Sequence, residues 1–421
     1  MYRLLQKIIL AMCLLGLAGA GLAETASSSI YQDAEQSIYQ VRVISKQGGE
    51  KTAIGSGFIV LEPNIIATNY HVVSMFVNDP EEFDLDYLST TGKTGSLELL
   101  AVDVVHDLAV LRADAPLGAP LELADVPPKG ARLYAMGNPM DLGFVIIEGT
   151  NNGILKNSDE SNILFSGSLN PGMSGGPTLN EERQVVGVNV ATSGNEISFL
   201  VPARHLGVIL GRLKLTGFKP DTDISERIAE QIHSHTGKYF ERLLDAKWNV
   251  RSVGKFGVPG SIDNFTRCWD EVSKPDEEEL LRIRDTSCAN DAAIYLDDGL
   301  EVGQIAYDYR WFTSDAMISP RFYNSYQERN VSVSNSEADK NDVTNFDCHA
   351  GFTRIAEQEF KMTVCRRDYH NYAGLSDVMV TGAMVGHKQQ GMIFNLDLKG
   401  VAFEQAMQVL KRMLGEFKWQ N

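Results

Sequence analysis

Cysteine is scarce in this sequence and unevenly placed. Only 5 of the 421 residues are cysteine, and all but Cys13 belong to the C-terminal half: Cys268, Cys288, Cys348 and Cys365. No two of them stand in a Cys-x-x-Cys spacing and no His-Glu-x-x-His motif occurs. A structural zinc site and a metal-dependent hydrolase are therefore not expected. We predict no metal and no cofactor.

A long apolar run is also missing. The most apolar stretch of the N-terminus, at positions 8–17, is shorter than the ~20 residues that a transmembrane helix needs. It follows two basic residues and leads through small residues to Ala23, which is typical of a secretory signal peptide. We therefore predict a leader over residues 1–23 and export, periplasmic or secreted. A retained anchor is the alternative, and a lipid on Cys13 is disfavoured because Met12 stands where that signal needs a small residue.

Positive charge is the third scarce feature. The chain has 38 Lys and Arg against 55 Asp and Glu, a formal net charge of −17 that becomes −19 once Arg3 and Lys7 leave with the leader. So acidic a chain is not expected to bind nucleic acid or an anionic membrane through bulk charge. We predict no nucleic-acid partner and no membrane association after leader removal, and the oligomeric state stays open.

The cysteines that remain after leader removal indicate two disulfides, because they are an even number in an exported chain. We expect sequential pairing, Cys268 with Cys288 and Cys348 with Cys365, while two other connectivities remain open. The N-terminal half has none of these cysteines, so its stability has to come from its own core.

Short β runs broken by glycine fill the N-terminal half. Residues 39–44, 54–60 and 64–68 are examples, and no βαβ alternation is visible. Closely spaced short strands with turn residues between them favour a β-barrel or a sandwich. A connector rich in Pro and Ala at 114–130 precedes a second set of β runs, and a helix over Arg204–Leu215 is predicted from its apolar spacing.

Three residues of this half are candidates for nucleophilic chemistry, which needs a hydroxyl, a base and oxyanion donors. Ser174 lies in the stretch Asn170–Pro177, whose glycines permit a tight turn that directs N–H groups at an oxyanion. His71 follows the third β run as if at a strand end, and Asp107 directly precedes an apolar run. Each also has an ordinary interpretation: a turn serine, a core or surface histidine, and a polar residue that caps a strand.

Together and in chain order, these motifs resemble the trypsin and chymotrypsin superfamily, most closely its bacterial HtrA-like branch. The motifs are G-S-G-F-I-V, A-T-N-Y-H-V-V, H-D-L-A-V-L-R, A-M-G-N-P and N-P-G-M-S-G-G-P. The order His, Asp, Ser fits this superfamily and not the α/β-hydrolases. The resemblance covers residues 37–215 and implies a mainly β fold, with two antiparallel β-barrels and a cleft between them.

The resemblance implies a role for each matching residue. Ser174 would be the nucleophile, His71 the general base and then acid, and Asp107 the residue that orients His71. The backbone N–H groups of Gly172 and Ser174 would form the oxyanion hole. The implied protein is an exported serine endopeptidase that cleaves protein or peptide substrates through an acyl-enzyme. The alternative is a chaperone-like binding protein that keeps the scaffold without turnover.

Some positions bear on how such a site would work. Met173 stands where digestive members of the superfamily have an aspartate that pairs with a freed N-terminal amine, so activation through that ion pair is not expected. The specificity pocket is expected to contain no carboxylate, with Ser168 at its base and Asn189, Val190, Ala191 and Thr192 in its walls. Such a pocket predicts cleavage after small or medium apolar residues.

The predicted division is a protease domain over 24–216 and a disulfide-containing α+β domain of unassigned role over 217–421. Helical spacing predicts a helix or helix pair over 221–248 with a break near Gly237, and further helices over 275–284 and 403–417. Strands are expected over 293–296, 303–311, 359–365, 378–385 and 392–398, and an exposed loop over 331–347. HtrA-like proteases commonly carry a PDZ domain, but its Gly-Leu-Gly-Phe-type loop is not found here.

Overall fold

The computed structural model describes residues 26–155, 161–192, 197–272, 280–290, 293–331, 336 and 338–420, so the predicted leader lies outside the described residues. The α-helices are α1 (Ala26–Ala34), α2 (Tyr70–Asn78), α3 (Ala203–Leu215), α4 (Ile224–Asp245), α5 (Ser319–Glu328) and α6 (Phe403–Gly415). The strands of the N-terminal half are β1 (Ile38–Ser45), β2 (Lys51–Ile59), β3 (Ile65–Thr68), β4 (Phe83–Ser89), β5 (Thr94–Asp103), β6 (Leu108–Ala113), β7 (Arg132–Gly137), β8 (Val145–Ile154), β9 (Ile163–Ser166), β10 (Pro177–Leu179), β11 (Val185–Thr192) and β12 (Ser198–Pro202). Those of the C-terminal half are β13 (Val250–Val253), β14 (Phe256–Pro259), β15 (Thr266–Val272), β16 (Arg282–Asn290), β17 (Ile294–Asp297), β18 (Leu300–Val302), β19 (Ile305–Thr313), β20 (Asp347–Ile355), β21 (Gln358–Asp368), β22 (Ser376–Met384), β23 (Gln390–Val401) and β24 (Lys418–Trp419).

The N-terminal half forms two closed antiparallel barrels. The first has the strand order β1-β2-β3-β6-β5-β4 and the second the order β10-β11-β12-β9-β8-β7. Inward-facing residues such as Val41, Val43 and Leu111 are fully buried, as the alternation of side chains in a closed barrel requires. The predicted mainly β fold with two antiparallel barrels is confirmed.

The C-terminal half is β-rich, with α4 and α6 on one face of its main sheet and α5 on the other. Its main sheet has seven strands in the order β15-β16-β19-β23-β22-β21-β20, and residues of α4 and α6 such as Leu243 and Met413 share a buried core with this sheet. Two disulfides join directly paired residues of neighbouring strands, Cys268 to Cys288 and Cys348 to Cys365. These are the sequential pairs that the sequence predicts. No helix of the described residues combines the length and apolar character needed to cross a membrane.

Two predicted elements of this half are corrected. The helix predicted over 275–284 lies partly outside the described residues, and from Arg282 onward the chain is strand β16, paired on both sides. Sheet pairing here overrides the helical propensity of a charged segment. The break expected near Gly237 is absent, and α4 continues through this glycine from Ile224 to Asp245. The glycine costs roughly 1 kcal/mol in a helix interior, but buried residues on both sides, Ile232 and Tyr239 among them, hold the helix together.

The predicted exposed loop at 331–347 is also only partly correct. Residues 332–335 and 337 lie outside the described residues, but Val343 is buried and forms a bridge with Tyr369. It belongs to a buried cluster that joins the two halves, in which Ile232 and Leu296 meet Tyr70 of the first barrel. The halves are therefore packed through a common core.

This common core predicts cooperative unfolding. All 4 tryptophans belong to the C-terminal half: Trp248, Trp269, Trp311 and Trp419. Tryptophan fluorescence therefore reports that half alone, whereas far-UV circular dichroism reports the strands of both halves. We expect the two signals to give the same midpoint in urea. A circular-dichroism transition with no counterpart in fluorescence would contradict the prediction.

Candidate active site

His71 lies in the first turn of a helix and not at a strand end as the sequence suggested. Strand β3 ends at Thr68 and α2 begins at Tyr70. The first N–H groups of a helix lack partners within the helix, and here the backbone N–H of His71 donates to Oδ1 of Asp107 at 2.9 Å. Asp107 therefore fixes the start of the helix that carries the histidine.

The side chains of His71 and Asp107 are also hydrogen-bonded. Nδ1 of His71 lies 2.7 Å from Oδ2 of Asp107. Because a carboxylate only accepts, Nδ1 carries the proton and Nε2 of the neutral ring is left as the base. Burial alone would lower the pKa of His71, but the charge of Asp107 and its hydrogen bond outweigh burial, so the pKa is raised above its usual 6.5.

Asp107 is held by its own backbone as well. Its φ of 52° is in the left-handed region, which Asp tolerates better than most residues because its short side chain can hydrogen-bond locally. Its carbonyl accepts a hydrogen bond of 2.7 Å from the side chain of Asn69, two residues before His71. The carboxylate is thus aimed at the histidine by both neighbouring segments.

The loop that carries Ser174 makes two turns that depend on glycine. Gly172 has φ 93° and Gly175 φ 83°. A Cβ on Gly175 would lie 2.2 Å from the Ser56 carbonyl oxygen and 3.0 Å from the backbone nitrogen of Asn69. The loop therefore lies directly against the junction that leads into α2, so Ser174 and His71 are brought to the same edge of the barrel interface.

Ser56 of the first barrel holds this loop, and only its place in the G-S-G-F-I-V motif could have singled it out from the sequence. Its buried hydroxyl donates to the Gly172 carbonyl at 2.7 Å and accepts from the Asn138 N–H at 2.9 Å. Its own N–H donates to the Ser174 carbonyl at 2.7 Å. One residue thus connects a first-barrel strand to two segments of the second barrel.

The backbone around the expected oxyanion hole is fixed by other groups. The Pro171 carbonyl accepts from the Met140 N–H at 2.8 Å, and the Met173 N–H donates to the Asn170 carbonyl at 3.0 Å. Within the described part of the chain, the N–H groups of Gly172 and Ser174 have no acceptor. Neither group is therefore engaged by another described part of the chain.

Met173 is an apolar anchor at the position where an ion pair was not expected from the sequence. Its side chain is fully buried in the second barrel, in a cluster with Leu133, Phe165 and Leu200. Packing of this side chain, and not a charged partner, holds the residue before the serine.

The hydroxyl of Ser174 donates to the Val190 carbonyl at 2.8 Å. Among the described residues, no hydrogen bond joins this hydroxyl to His71. Catalytic hydrogen bonds often form only when substrate is bound, so Ser174 remains the candidate nucleophile.

The residues predicted to form a specificity pocket differ in their exposure. Ser168 is exposed, and its neighbours Gly167 and Leu169 are both hydrogen-bonded to the hydroxyl of Ser198. Val190 is half-buried, whereas the side chains of Ala191 and Thr192 lie outside what the structure describes.

Asn189 was predicted to line the pocket, but its side chain points into the second barrel. Its side chain is fully buried and donates to the carbonyls of Met136 and Met173, while it accepts from Thr178. The side chain is therefore not exposed to an open pocket, and instead ties the serine loop to the second barrel.

Comparison with known proteins finds similarity to peptidases in the N-terminal half. The family described as trypsin-like peptidase domain matches residues 55–188. Serine protease HTRA1B of Danio rerio is 34% identical over 163 residues, which cover 36% of this chain and 33% of the relative. The "Probable periplasmic serine endoprotease DegP-like" of Rickettsia conorii is 31% identical over 188 residues, 41% of this chain and 36% of the relative.

A solved serine endoprotease from Yersinia pestis is 25% identical, with a TM-score of 0.40, and the match covers 46% of this chain and 68% of that structure. The chain spans only about a third of the length of the curated relatives it matches. The matches to these curated relatives cover less than half of this chain.

Burial of Met173 gives a prediction for stability. Replacing it by aspartate places an unpaired charge in the second-barrel core, which costs about 3–5 kcal/mol. Met173→Leu keeps the volume and is expected to cost less than about 1.5 kcal/mol. Urea unfolding followed by far-UV circular dichroism measures both. Equal stability of the two variants would show that residue 173 is not anchored in the core.

Proposed function

We propose, from the premise that residues 55–188 match the trypsin-like peptidase domain and that HtrA-type proteases are among the proteins similar to this chain, that this protein is a serine endopeptidase. The observation that carries the proposal is the double hydrogen bond from His71 to Asp107 beside the loop of Ser174. A histidine held in one tautomer, with Nε2 free next to a serine, is what activation of a hydroxyl requires.

In the proposed mechanism, Ser174 first rotates its hydroxyl away from the Val190 carbonyl and toward His71. As Oγ attacks the carbonyl carbon of the scissile bond, its proton passes to Nε2 of His71. The tetrahedral oxyanion accepts hydrogen bonds from the N–H groups of Gly172 and Ser174. Asp107 stabilises the imidazolium without taking its proton.

Collapse of this intermediate breaks the peptide C–N bond, and the imidazolium protonates the leaving amine. The acyl-enzyme on Ser174 is then attacked by a water whose proton passes to Nε2 of His71. A second tetrahedral species releases the acid and restores the serine. Every step uses the same two N–H donors and the same base, so no cofactor is needed.

The proposed preference is for a small or medium apolar residue before the cut. None of the predicted pocket residues is acidic, so they offer no negative charge to pair with a Lys or Arg side chain. The substrates are proteins or peptides.

We also propose that the chain is exported, with a leader over 1–23 and domains over 24–216 and 217–421. Two disulfides in the C-terminal half fit an oxidising compartment such as a periplasm or the cell exterior. The DegP-like relative of Rickettsia conorii carries the word periplasmic in its name.

A binding protein without turnover is the second candidate. The hydrogen bond from Ser174 to the Val190 carbonyl favours it, because a serine kept in that bond is not activated by His71. The two candidates differ in whether Ser174 reacts with a serine-directed reagent.

The first test is covalent labelling. We expect a serine-reactive phosphonate to modify Ser174, with the adduct located by mass spectrometry, and Ser174→Ala to lose both the label and casein hydrolysis by about 10⁴-fold or more. Ser287→Ala, which alters an exposed serine of the C-terminal sheet, is expected to behave as wild type. A wild-type protein that takes no label and leaves casein intact would favour the binding protein.

The second test uses pH. His71 acts only when neutral, and its pKa is raised above 6.5 by Asp107, so kcat/KM is expected to fall as pH drops through a midpoint above 6.5. His349→Gln, an exposed histidine far along the chain, leaves this midpoint unchanged. Asp107→Asn should lower kcat by about 10⁴-fold because the tautomer is no longer fixed. Activity that persists undiminished well below pH 6 would contradict the assignment of His71 as base.

A further inference from the structure

A hairpin of the C-terminal half lies on the helix that carries His71. In this hairpin, β17 pairs with β18, and the backbone carbonyl of Leu296 accepts two hydrogen bonds from α2. One comes from the hydroxyl of Tyr70 at 2.9 Å and the other from the side chain of Asn78 at 3.1 Å. Tyr70 and Asn78 are the first and last residues of α2, so a single carbonyl holds both ends of the helix.

The hairpin is also packed against the first barrel. Ile294, Leu296 and Val302 belong to the same buried cluster as Tyr70 and Val73 of α2. A further hydrogen bond of 3.1 Å runs from Tyr372 to Asn78. This face of α2 is thus covered by the C-terminal half and not by solvent.

Tyr295 stands between the two buried residues of β17 and is itself half-buried. Its ring meets the ring of His71 edge to face, with centroids 6.2 Å apart and an interplanar angle of 84°. This geometry is the one that aromatic pairs favour. The Tyr295 hydroxyl donates to Asp298 at 3.4 Å, and burial raises the pKa of Tyr295 to about 12, so the phenol stays neutral at working pH.

We propose that Tyr295 is a positioning residue for His71, so that the C-terminal half completes the candidate active site. The inference rests on the proposed peptidase function. His71 has to keep its hydrogen bond to Asp107 while Nε2 exchanges protons with Ser174 and the substrate. Asp107 fixes one edge of the imidazole, and the ring of Tyr295 restricts its rotation from another side. Small displacements of a catalytic group are costly, because proton transfer depends on orientation.

The test compares turnover per active site in the full-length protein. Tyr295→Ala removes the ring, Tyr295→Leu removes it while keeping buried volume, and Tyr295→Phe keeps the ring without the hydroxyl. Phe352→Ala, an exposed aromatic on β20, is the matched control. Active sites are counted by phosphonate titration. The maximal rate on a chromogenic peptide is divided by that count to give kcat per titrated site.

We expect Tyr295→Ala and Tyr295→Leu to lower kcat per titrated site by about 10-fold, as the loss of one good aromatic contact allows. Tyr295→Phe should stay within about twofold of wild type, and Phe352→Ala should not change. A role confined to folding would instead reduce the number of titrated sites and leave kcat per site unchanged.

Two results would overturn the inference, and they are distinguishable. If wild type is active and both Tyr295→Ala and Tyr295→Leu turn over at the wild-type rate per site, Tyr295 does not position His71 and the peptidase proposal stands. If wild type shows neither titration nor peptide cleavage, the peptidase proposal itself fails, and the inference fails with it.

Discussion

The hydroxyl of Ser56 is the contact on which the candidate site depends. It is a single buried group that donates to the Gly172 carbonyl and accepts from the Asn138 N–H, so it joins a first-barrel strand to the loop of Ser174. A hydroxyl has one proton to give, and both bonds are satisfied without water. Its removal would leave two buried backbone groups unpaired, at a cost of about 1–3 kcal/mol each. The loop of Ser174 in the second barrel is thus bonded directly to the first barrel, which leads into the helix of His71.

The serine loop is supported from the other side by the core of the second barrel. Met173 is packed among apolar residues, and the side chain of Asn189 bonds the Met173 carbonyl at 3.2 Å. An ion pair at this position would make the loop depend on a charged partner, such as a freed N-terminal amine. An apolar anchor makes the residue before the serine depend on the packing of the second barrel. Core packing of that barrel and the hydrogen bonds of Ser56 together hold the loop.

The sequence predicted the parts of this protein that local patterns encode. The short strands favoured a barrel or a sandwich, and the resemblance to the trypsin and chymotrypsin superfamily implied two barrels. His71, Asp107 and Ser174 stand in motifs of adjacent residues. Contacts across long stretches of chain left no such pattern, as the bond from Ser56 to a loop 116 residues away demonstrates. The helix wrongly predicted at Arg282 has the same cause, since partner strands decide its conformation. Asn189 was misplaced because a polar residue near a cleft can equally serve as internal support.

The C-terminal half illustrates how far such long-range contacts reach. From the sequence it had no assigned role, and docking on the protease, presentation of substrate and binding of a partner were all open. Its hairpin holds both ends of α2 through the carbonyl of Leu296, and α2 carries His71. A movement of this hairpin would move the histidine relative to Ser174, whose loop is fixed by Ser56 and the second barrel. Docking is therefore the role that the contacts support, and the placement of His71 beside the loop of Ser174 depends on both halves of the chain.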